Sequence, residues 1–201
     1  MRSRHPGRQM NQATDKQSIR RVLRQRRRDF VAARNGQPWT LPEDRFGSLL
    51  DHGVTVASYQ PYSAEADPAP IVDLARRALA AVAWPRVDAD GQMRFYSLGP
   101  SQRMTPDASG MMAPAEDAHS ARPSFIFVPL VGFDRAGTRL GQGGGHYDRA
   151  LAVIEQSLDA ASPRPVCIGI TWSVQEMPTL PRDPWDMPLD HIITEKEWIT
   201  P

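Results

Sequence analysis

Residues 139–149 read Arg-Leu-Gly-Gln-Gly-Gly-Gly-His-Tyr-Asp-Arg. A strongly apolar run, Phe125 to Val131, comes before this segment. After it, apolar residues recur at the spacing of one helix face, at Tyr147, Leu151, Ile154 and Leu158. This order predicts a buried strand, then a glycine-rich loop, then a helix.

The glycine-rich loop has the features of an anion-binding site. Four of the positions 141–145 are glycine, which lacks a Cβ atom and lets backbone N–H groups approach an anion together. The start of the following helix adds unpaired N–H groups and the positive end of its dipole. Arg139 and Arg149 flank the loop with positive charge. The segment predicts a phosphate site, with an ordinary glycine-rich surface turn as the alternative.

Strand and helix patterns alternate along the rest of the chain. β-Rich runs occupy 54–59, 166–171 and 191–194, helical patterns occupy 43–51 and 68–80, and a hairpin pattern covers 81–98. A length of 201 residues suits one domain with a substantial core. The alternation predicts a single three-layer α/β/α domain over residues 14–201, with a largely parallel, Rossmann-like sheet.

Two loops of this predicted fold are candidate ligand-binding segments. Gln60 and Glu65 follow the strand at 54–59, and the carboxyl edge of an open α/β sheet is where ligands bind. By position alone, an ordinary solvated loop acid is the better interpretation of Glu65. Residues 99–123 show no periodicity, and a loop of that length in a compact domain predicts a lid or a binding loop.

The N-terminal region is strongly basic. Residues 1–13 predict a flexible basic leader, and Thr14 with Gln17 predicts a capping box that begins a helix. Lys16, Arg20 and Arg24 then recur at four-residue intervals, so three cations share one helix face. Such a face binds nucleic acid, closes over a polyphosphate, or is simply solvated.

Composition narrows the class of protein. The chain carries a net charge of +1, although residues 1–34 hold eleven Arg or Lys against two Asp. No apolar stretch is long enough for a transmembrane helix, and no apolar region of a secretory signal follows the basic N-terminus. The single cysteine, Cys167, lies in an apolar run, which predicts a buried structural thiol. We expect a cytoplasmic protein.

The glycine loop and its surroundings resemble a known family. The segments that carry the likeness are Pro129 to Asp134, Gly137, Arg139 to Gly141, Gly143 to Gly145, and Tyr147 to Arg149. They look like the signature of 5-formyltetrahydrofolate cyclo-ligase, also called methenyltetrahydrofolate synthetase. Shorter matches in the right order extend the resemblance from Lys16 to Thr194.

The resemblance implies an activity and its site. Family members convert 5-formyltetrahydrofolate to 5,10-methenyltetrahydrofolate with ATP and Mg²⁺. Carried over to this sequence, Gln60 and Glu65 bind the pterin, and Asp148 and Asp186 hold the magnesium ion, which prefers few carboxylates with phosphates and water. The ATP-binding residues implied are Lys16, Arg20, Arg139, Gly141, Gln142, Gly143, Gly144, Gly145, His146 and Tyr147.

Three positions depart from the usual family pattern, and they keep alternatives open. His146 replaces an aromatic residue, Ala113 replaces a Glu before Pro114, and Trp185 replaces a His before Asp186. The expected function is a monomeric enzyme acting on a small-molecule folate, with no nucleic-acid or membrane partner. The alternatives are a non-catalytic nucleotide- or folate-binding relative, and a nucleic-acid binder that uses residues 2–34.

Overall fold

The computed structural model describes residues 6–41, 45, 47, 50, 53–99, 103–158 and 163–201, with side chains from residue 15 onward. The helix expected over 43–51 lies largely outside these residues. The described α-helices are α1 (Pro6–Ala33), α2 (Ala69–Arg77) and α3 (His146–Gln156). The described strands are β1 (Thr55–Ala57), β2 (Ala81–Val87), β3 (Met93–Ser97), β4 (Met104–Pro106), β5 (Met112–Pro114), β6 (His119–Ser120), β7 (Phe125–Pro129), β8 (Gly132–Phe133), β9 (Arg139–Leu140), β10 (Val166–Ile170), β11 (His191–Ile193) and β12 (Trp198–Ile199).

One large sheet organises the chain, in the order β12-β11-β10-β7-β1-β2-β3-β6. The five strands at its centre are parallel, from β11 across β10, β7 and β1 to β2. The pairings at the two edges, which add β12 on one side and β3 and β6 on the other, are antiparallel. The predicted α/β fold with a largely parallel sheet is confirmed.

The two faces of the sheet carry separate cores. Because successive side chains of a strand point to opposite faces, Phe127 of β7 packs in one cluster and Ile126 in the other. Leu151 of α3 lies with Ile126, whereas Ile71 of α2 and Phe30 of α1 lie with Phe127. Helices therefore cover both faces, as the three-layer prediction requires. Each large apolar side chain buried in this way contributes about 1.5–3 kcal/mol.

The start of α1 differs from the sequence prediction. The described helix runs from Pro6 to Ala33, so Thr14 lies inside it and the predicted N-cap at Thr14 is wrong. The helix also includes residues 6–13 of the predicted leader, whose flexibility stays a prediction. Proline is favoured at the first helical position because its φ angle suits the helix and its missing N–H has no partner there. Residues 1–5 of the predicted leader lie outside the described residues.

The segment 99–123 also differs from its prediction as a loop without regular structure. Strands β4 and β5 form a hairpin, and β6 extends the main sheet by pairing with β3. The Asp107 carboxylate organises the hairpin turn, because it accepts hydrogen bonds from the backbone N–H groups of Val87, Ser109 and Met111. Strands of two or three residues are too short to leave a periodic signal in the sequence.

Helix α1 packs against the hairpin that carries the glycine loop. Strands β8 and β9 pair antiparallel after β7, and the loop 141–145 continues from β9 into α3. Leu23 of α1 is fully buried and lies so close to Gly132 of β8 that a Cβ atom there would be 2.4 Å from Leu23 Cδ1. A side chain at Gly132 would force the Leu23 side chain to move, so α1 packs closely against β8 at this point.

Candidate active site

A cavity of about 910 Å³ opens beside the glycine loop, between α1, the segment after β1, and the start of α3. All fourteen residues predicted as site residues line it, and they come from four separate parts of the chain. They are Lys16, Arg20, Gln60, Glu65, Arg139, Gly141, Gln142, Gly143, Gly144, Gly145, His146, Tyr147, Asp148 and Asp186.

Helix α1 holds one side of the glycine loop through its arginines. Arg20 Nε donates to the carbonyl oxygen of Gly141 at 2.8 Å, and Arg24 donates to both the carbonyl and the side-chain oxygen of Gln142. Gly143 has a φ of +112°, a conformation that other residues adopt only with strain. Burial and the neighbouring Arg24 lower the pKa of the Arg20 guanidinium, with Asp186 opposing them. Two cations crowded at the loop favour an anion between them.

The other side of the loop leads into α3. Gly145 is the N-cap residue, with a φ of +65°, and the helix begins at His146. Arg149 Nη1 donates to the carbonyl of Gly144 at 2.9 Å, and its Nη2 lies 3.2 Å from His146 Nδ1. A helix N-terminus directed at the loop supplies the partial positive charge that the sequence predicted.

Two carboxylates lie beside two buried cations at the base of the cavity. Arg139 Nη2 contacts Asp148 Oδ1 at 2.5 Å, and Lys16 Nζ contacts Asp186 Oδ2 at 2.6 Å. The backbone N–H of Met187 donates to Asp148 Oδ1 at 3.3 Å, so the chain just after Asp186 touches the Asp148 carboxylate. The backbone next to one predicted metal ligand therefore lies beside the carboxylate of the other.

Lys16 has a second carboxylate partner. Its Nζ atom lies 2.6 Å from Asp183 Oδ2, although Lys16 is only 8% exposed. Burial alone would lower the pKa of Lys16, but hydrogen bonds and charge attraction from Asp183 and Asp186 outweigh it, so the pKa lies above its ordinary value. Lys16 stays positively charged throughout the physiological pH range.

Glu65 links the two ends of the cavity. Its Oε1 atom accepts a hydrogen bond from Gln142 Nε2 at 2.8 Å, and its Oε2 atom accepts one from the Tyr62 backbone N–H at 3.0 Å. The Glu65 side chain is 7% exposed, which excludes the interpretation as a solvated loop acid. Gln60 is exposed at the cavity wall. The segment after β1 and the glycine loop are thus joined through one glutamine side chain.

Comparison with known proteins agrees with this geometry. The family model described as the 5-formyltetrahydrofolate cyclo-ligase family matches residues 12–195. The chain belongs to this family.

Individual relatives match over most of the chain. It is 30% identical to the 5-formyltetrahydrofolate cyclo-ligase of Escherichia coli K12, over 72% of this chain and 80% of that protein. It is also 30% identical to the 5-formyltetrahydrofolate cyclo-ligase of Mycolicibacterium smegmatis, over 92% of this chain and 95% of that protein. The solved structure of Aquifex aeolicus 5,10-methenyltetrahydrofolate synthetase superposes with a TM-score of 0.65 at 28% identity, covering 92% of each chain.

Several residues at the site of this cyclo-ligase family member were not singled out from the sequence. Asp183 was overlooked, although its spacing of three residues from Asp186 is a signal that paired carboxylates leave in a sequence. Arg27 was overlooked because nothing local distinguishes it from the arginines around it. Four apolar side chains that are 45–65% exposed line the mouth of the cavity: Tyr62, Met111, Met112 and Trp185.

Tyr147 and Ala113 differ in their position relative to the cavity. The Tyr147 hydroxyl is buried and has no hydrogen-bond partner among the described residues, and burial together with the Glu65 charge raises the pKa of Tyr147. Tyr147 thus lies near Glu65 as well as at the loop. Ala113 is 1% exposed on β5 and is not among the described residues that line the cavity.

Cys167 is confirmed as a buried thiol on β10. It is 2% exposed, and burial together with the nearby Asp190 charge raises its pKa to about 11. A thiol of that pKa carries almost no thiolate at neutral pH and is a poor nucleophile. Among the described residues, no helix is long and apolar enough to cross a bilayer, and no group of three or more His, Cys, Asp or Glu is placed to hold a metal.

Proposed function

We propose that this chain is an ATP- and Mg²⁺-dependent 5-formyltetrahydrofolate cyclo-ligase, which forms 5,10-methenyltetrahydrofolate and releases ADP and phosphate. The observation that carries this proposal is the convergence, in one cavity, of a glycine loop, three cations and two neighbouring carboxylates on the scaffold of this family. Such a set binds a polyphosphate with a divalent cation.

The reaction needs activation of a poor leaving group. The formyl oxygen of the substrate attacks the γ-phosphorus of ATP and ADP departs, so that the oxygen becomes part of a phosphate ester. The folate N10 then attacks the formyl carbon, the C–O bond breaks, phosphate leaves, and N10 loses its proton. For this reaction the protein has to align the two substrates and neutralise the phosphate charge, and it does not need a nucleophilic side chain.

The phosphate groups are assigned to the α1 side of the cavity. Lys16 and Arg20 lie one turn apart on the face of α1 that contacts the site, and Arg139 lies at the start of the loop. We propose that these three cations, with the backbone N–H groups of 141–145 and the side chains of His146 and Tyr147, bind the triphosphate. Charge developing on the bridging oxygens is then neutralised where it forms.

The magnesium ion is assigned to Asp148 and Asp186. Each carboxylate uses one oxygen for its ion pair, and its other oxygen takes no hydrogen bond from the described residues. Two carboxylate oxygens, with phosphate oxygens and water, fit the octahedral preference of Mg²⁺. The metal, when bound, neutralises phosphate charge during transfer.

The folate is assigned to the other end of the cavity. Glu65 already accepts two hydrogen bonds, and an ionised carboxylate has about four acceptor positions, so about two stay available. We propose that these accept hydrogen bonds from the amino and amide N–H groups of the pterin, with Gln60 beside them. The apolar side chains at the mouth suit the aromatic part of the molecule.

The basic helix is better explained by this function than by nucleic-acid binding. Lys16, Arg20, Arg24 and Arg27 all contact residues of the site or of its supporting loops. Two of them, Lys16 and Arg20, line the cavity itself, which favours the polyphosphate interpretation. We further propose that the enzyme acts as a monomer in the cytoplasm.

The direct test is absorbance of the methenyl product when the purified protein is given 5-formyltetrahydrofolate with and without Mg-ATP. We expect product only when both ATP and Mg²⁺ are present, with one ADP released per product. Binding of either compound without turnover would favour the non-catalytic relative. Salt-sensitive RNA or DNA binding without turnover would favour the nucleic-acid binder.

A further inference from the structure

Arg27 is a buried cation directly behind Glu65. It is 5% exposed, and its Nη1 atom lies 3.8 Å from Glu65 Oε1. Glu65 lines the cavity, whereas Arg27 is not among the described residues that do so. The guanidinium therefore acts on the cavity only through the carboxylate in front of it.

The hydrogen bonds of Arg27 do not account for its burial. Its guanidinium has five N–H donors, yet Nη1 makes one long bond of 3.5 Å to the Leu130 carbonyl, and the buried Nε has no partner in the described part of the chain. Burial lowers the pKa of Arg27, and the charge of Glu65 opposes that shift. The carboxylate is thus the main compensation for a costly buried charge.

The distance between the two groups leaves the carboxylate free to bind. At 3.8 Å the pair attracts electrostatically but lies beyond hydrogen-bond length, so Arg27 does not occupy an acceptor position of Oε1. The Tyr62 N–H and the Gln142 amide hold the carboxylate by direct hydrogen bonds. Arg27 adds charge from behind without competing with a ligand in front.

We propose that Arg27 is a positioning residue for the folate, which holds the Glu65 carboxylate directed into the cavity. This inference rests on the proposed function, because it takes Glu65 as the group that recognises the pterin. The competing interpretation is that the pair only attaches α1 to the rest of the protein. That role predicts a loss of stability with no selective effect on folate.

The test compares Arg27→Met with Arg28→Met, a neighbouring exposed arginine on the same helix. Steady-state rates are measured with each substrate varied in turn. For Arg27→Met we expect the KM for 5-formyltetrahydrofolate to rise about tenfold or more, with the KM for ATP nearly unchanged. Arg28→Met should change neither value. Equal changes in both KM values, or a change in stability alone, would overturn the inference.

A double-mutant cycle with Glu65→Gln shows whether Arg27 acts through Glu65. In the Glu65→Gln background, Arg27→Met should raise the folate KM no further. If Glu65→Gln leaves the folate KM unchanged, the assignment of Glu65 to the substrate fails, and the inference falls with that part of the proposed function. If Glu65→Gln raises the folate KM and Arg27→Met does not, only the inference fails.

Arg27→Lys is the second variant, for use if Arg27→Met does not fold. It keeps the charge but places it less accurately, so the folate KM should rise by less than in Arg27→Met, again without an effect on ATP. Adding Glu65→Gln should remove the difference between Lys and Arg at this position. A folate KM equal to that of the unaltered enzyme in soluble Arg27→Lys, or a parallel rise for ATP, would contradict the positioning role.

Discussion

The two ends of the cavity are built in different ways. At the phosphate end, one continuous segment of chain supplies the glycine loop and the start of α3, and it is contacted by one face of one helix. At the folate end, Glu65 depends on side chains from α1 and the glycine loop, each more than 35 residues away in sequence. The glycine loop at the first end follows from local backbone geometry, whereas the α1 cations beside it and the whole of the second end are placed only when the elements pack.

This difference between the two ends predicts which kinetic constant a mutation at each end should change. Loss of charge at the phosphate end would remove groups that we propose contact the reacting phosphates directly, so the expected effects on rate are large. At the folate end, several groups share the orientation of one carboxylate, so single changes should act mainly on KM.

Removal of divalent metal should have the largest effect. With EDTA in excess, turnover should fall on the order of 10³-fold, because the charge on the phosphates is no longer neutralised. Product absorbance measures the rate, and added MgCl₂ should restore it. Undiminished activity in EDTA would remove Asp148 and Asp186 from the mechanism.

Lys16→Ala should come next. We expect kcat/KM for ATP to fall on the order of 10²-fold, since the proposed contact of a charged group with the transferring phosphate is lost. The matched control is Lys196→Ala, which removes the only other lysine of the chain, an exposed one. Circular dichroism should show both variants folded. Equal activity of the two would show that the phosphates lie elsewhere.

Gly143→Ala tests the backbone of the loop. A φ of +112° is strained for alanine, so the loop should change shape and the KM for ATP should rise about tenfold. Gly91→Ala is the control, since Gly91 has a φ of +77° in a hairpin turn and is not among the described residues that line the cavity. If both variants lose stability equally and neither changes the KM for ATP, the loop is only a turn.

Gln142→Ala should have the smallest effect, and it tests the connection between the two ends. The lost hydrogen bond to Glu65 is worth about 1 kcal/mol, so the folate KM should rise about fivefold. Gln156→Ala, an exposed position on α3, should leave it unchanged. A larger effect on ATP than on folate would mean that Gln142 serves only the loop and its contact with Arg24.

Some features of the fold and the site were predictable from the sequence, and others were not. The strand, loop and helix around 139–149 were predicted with bounds close to those found, because glycine content and helical periodicity act over a few residues. The strands within 99–123 were not predicted, since β4, β5 and β6 are held by pairing and not by local preference. Asp183 and Arg27 were overlooked because their roles depend on partners distant in the chain.

By itself the sequence determined the alternation of strands and helices, the glycine loop, and the basic face of the first helix, because each depends on residues within a few positions of one another. Only the tertiary structure decided that Lys16 meets Asp183 and Asp186, which lie 167 and 170 residues away, and that Arg27 lies behind Glu65. Those contacts form only when α1 packs on the rest of the chain, where Leu23 lies against Gly132. A contact of that kind depends on shape between distant segments, and no local pattern of residues encodes it.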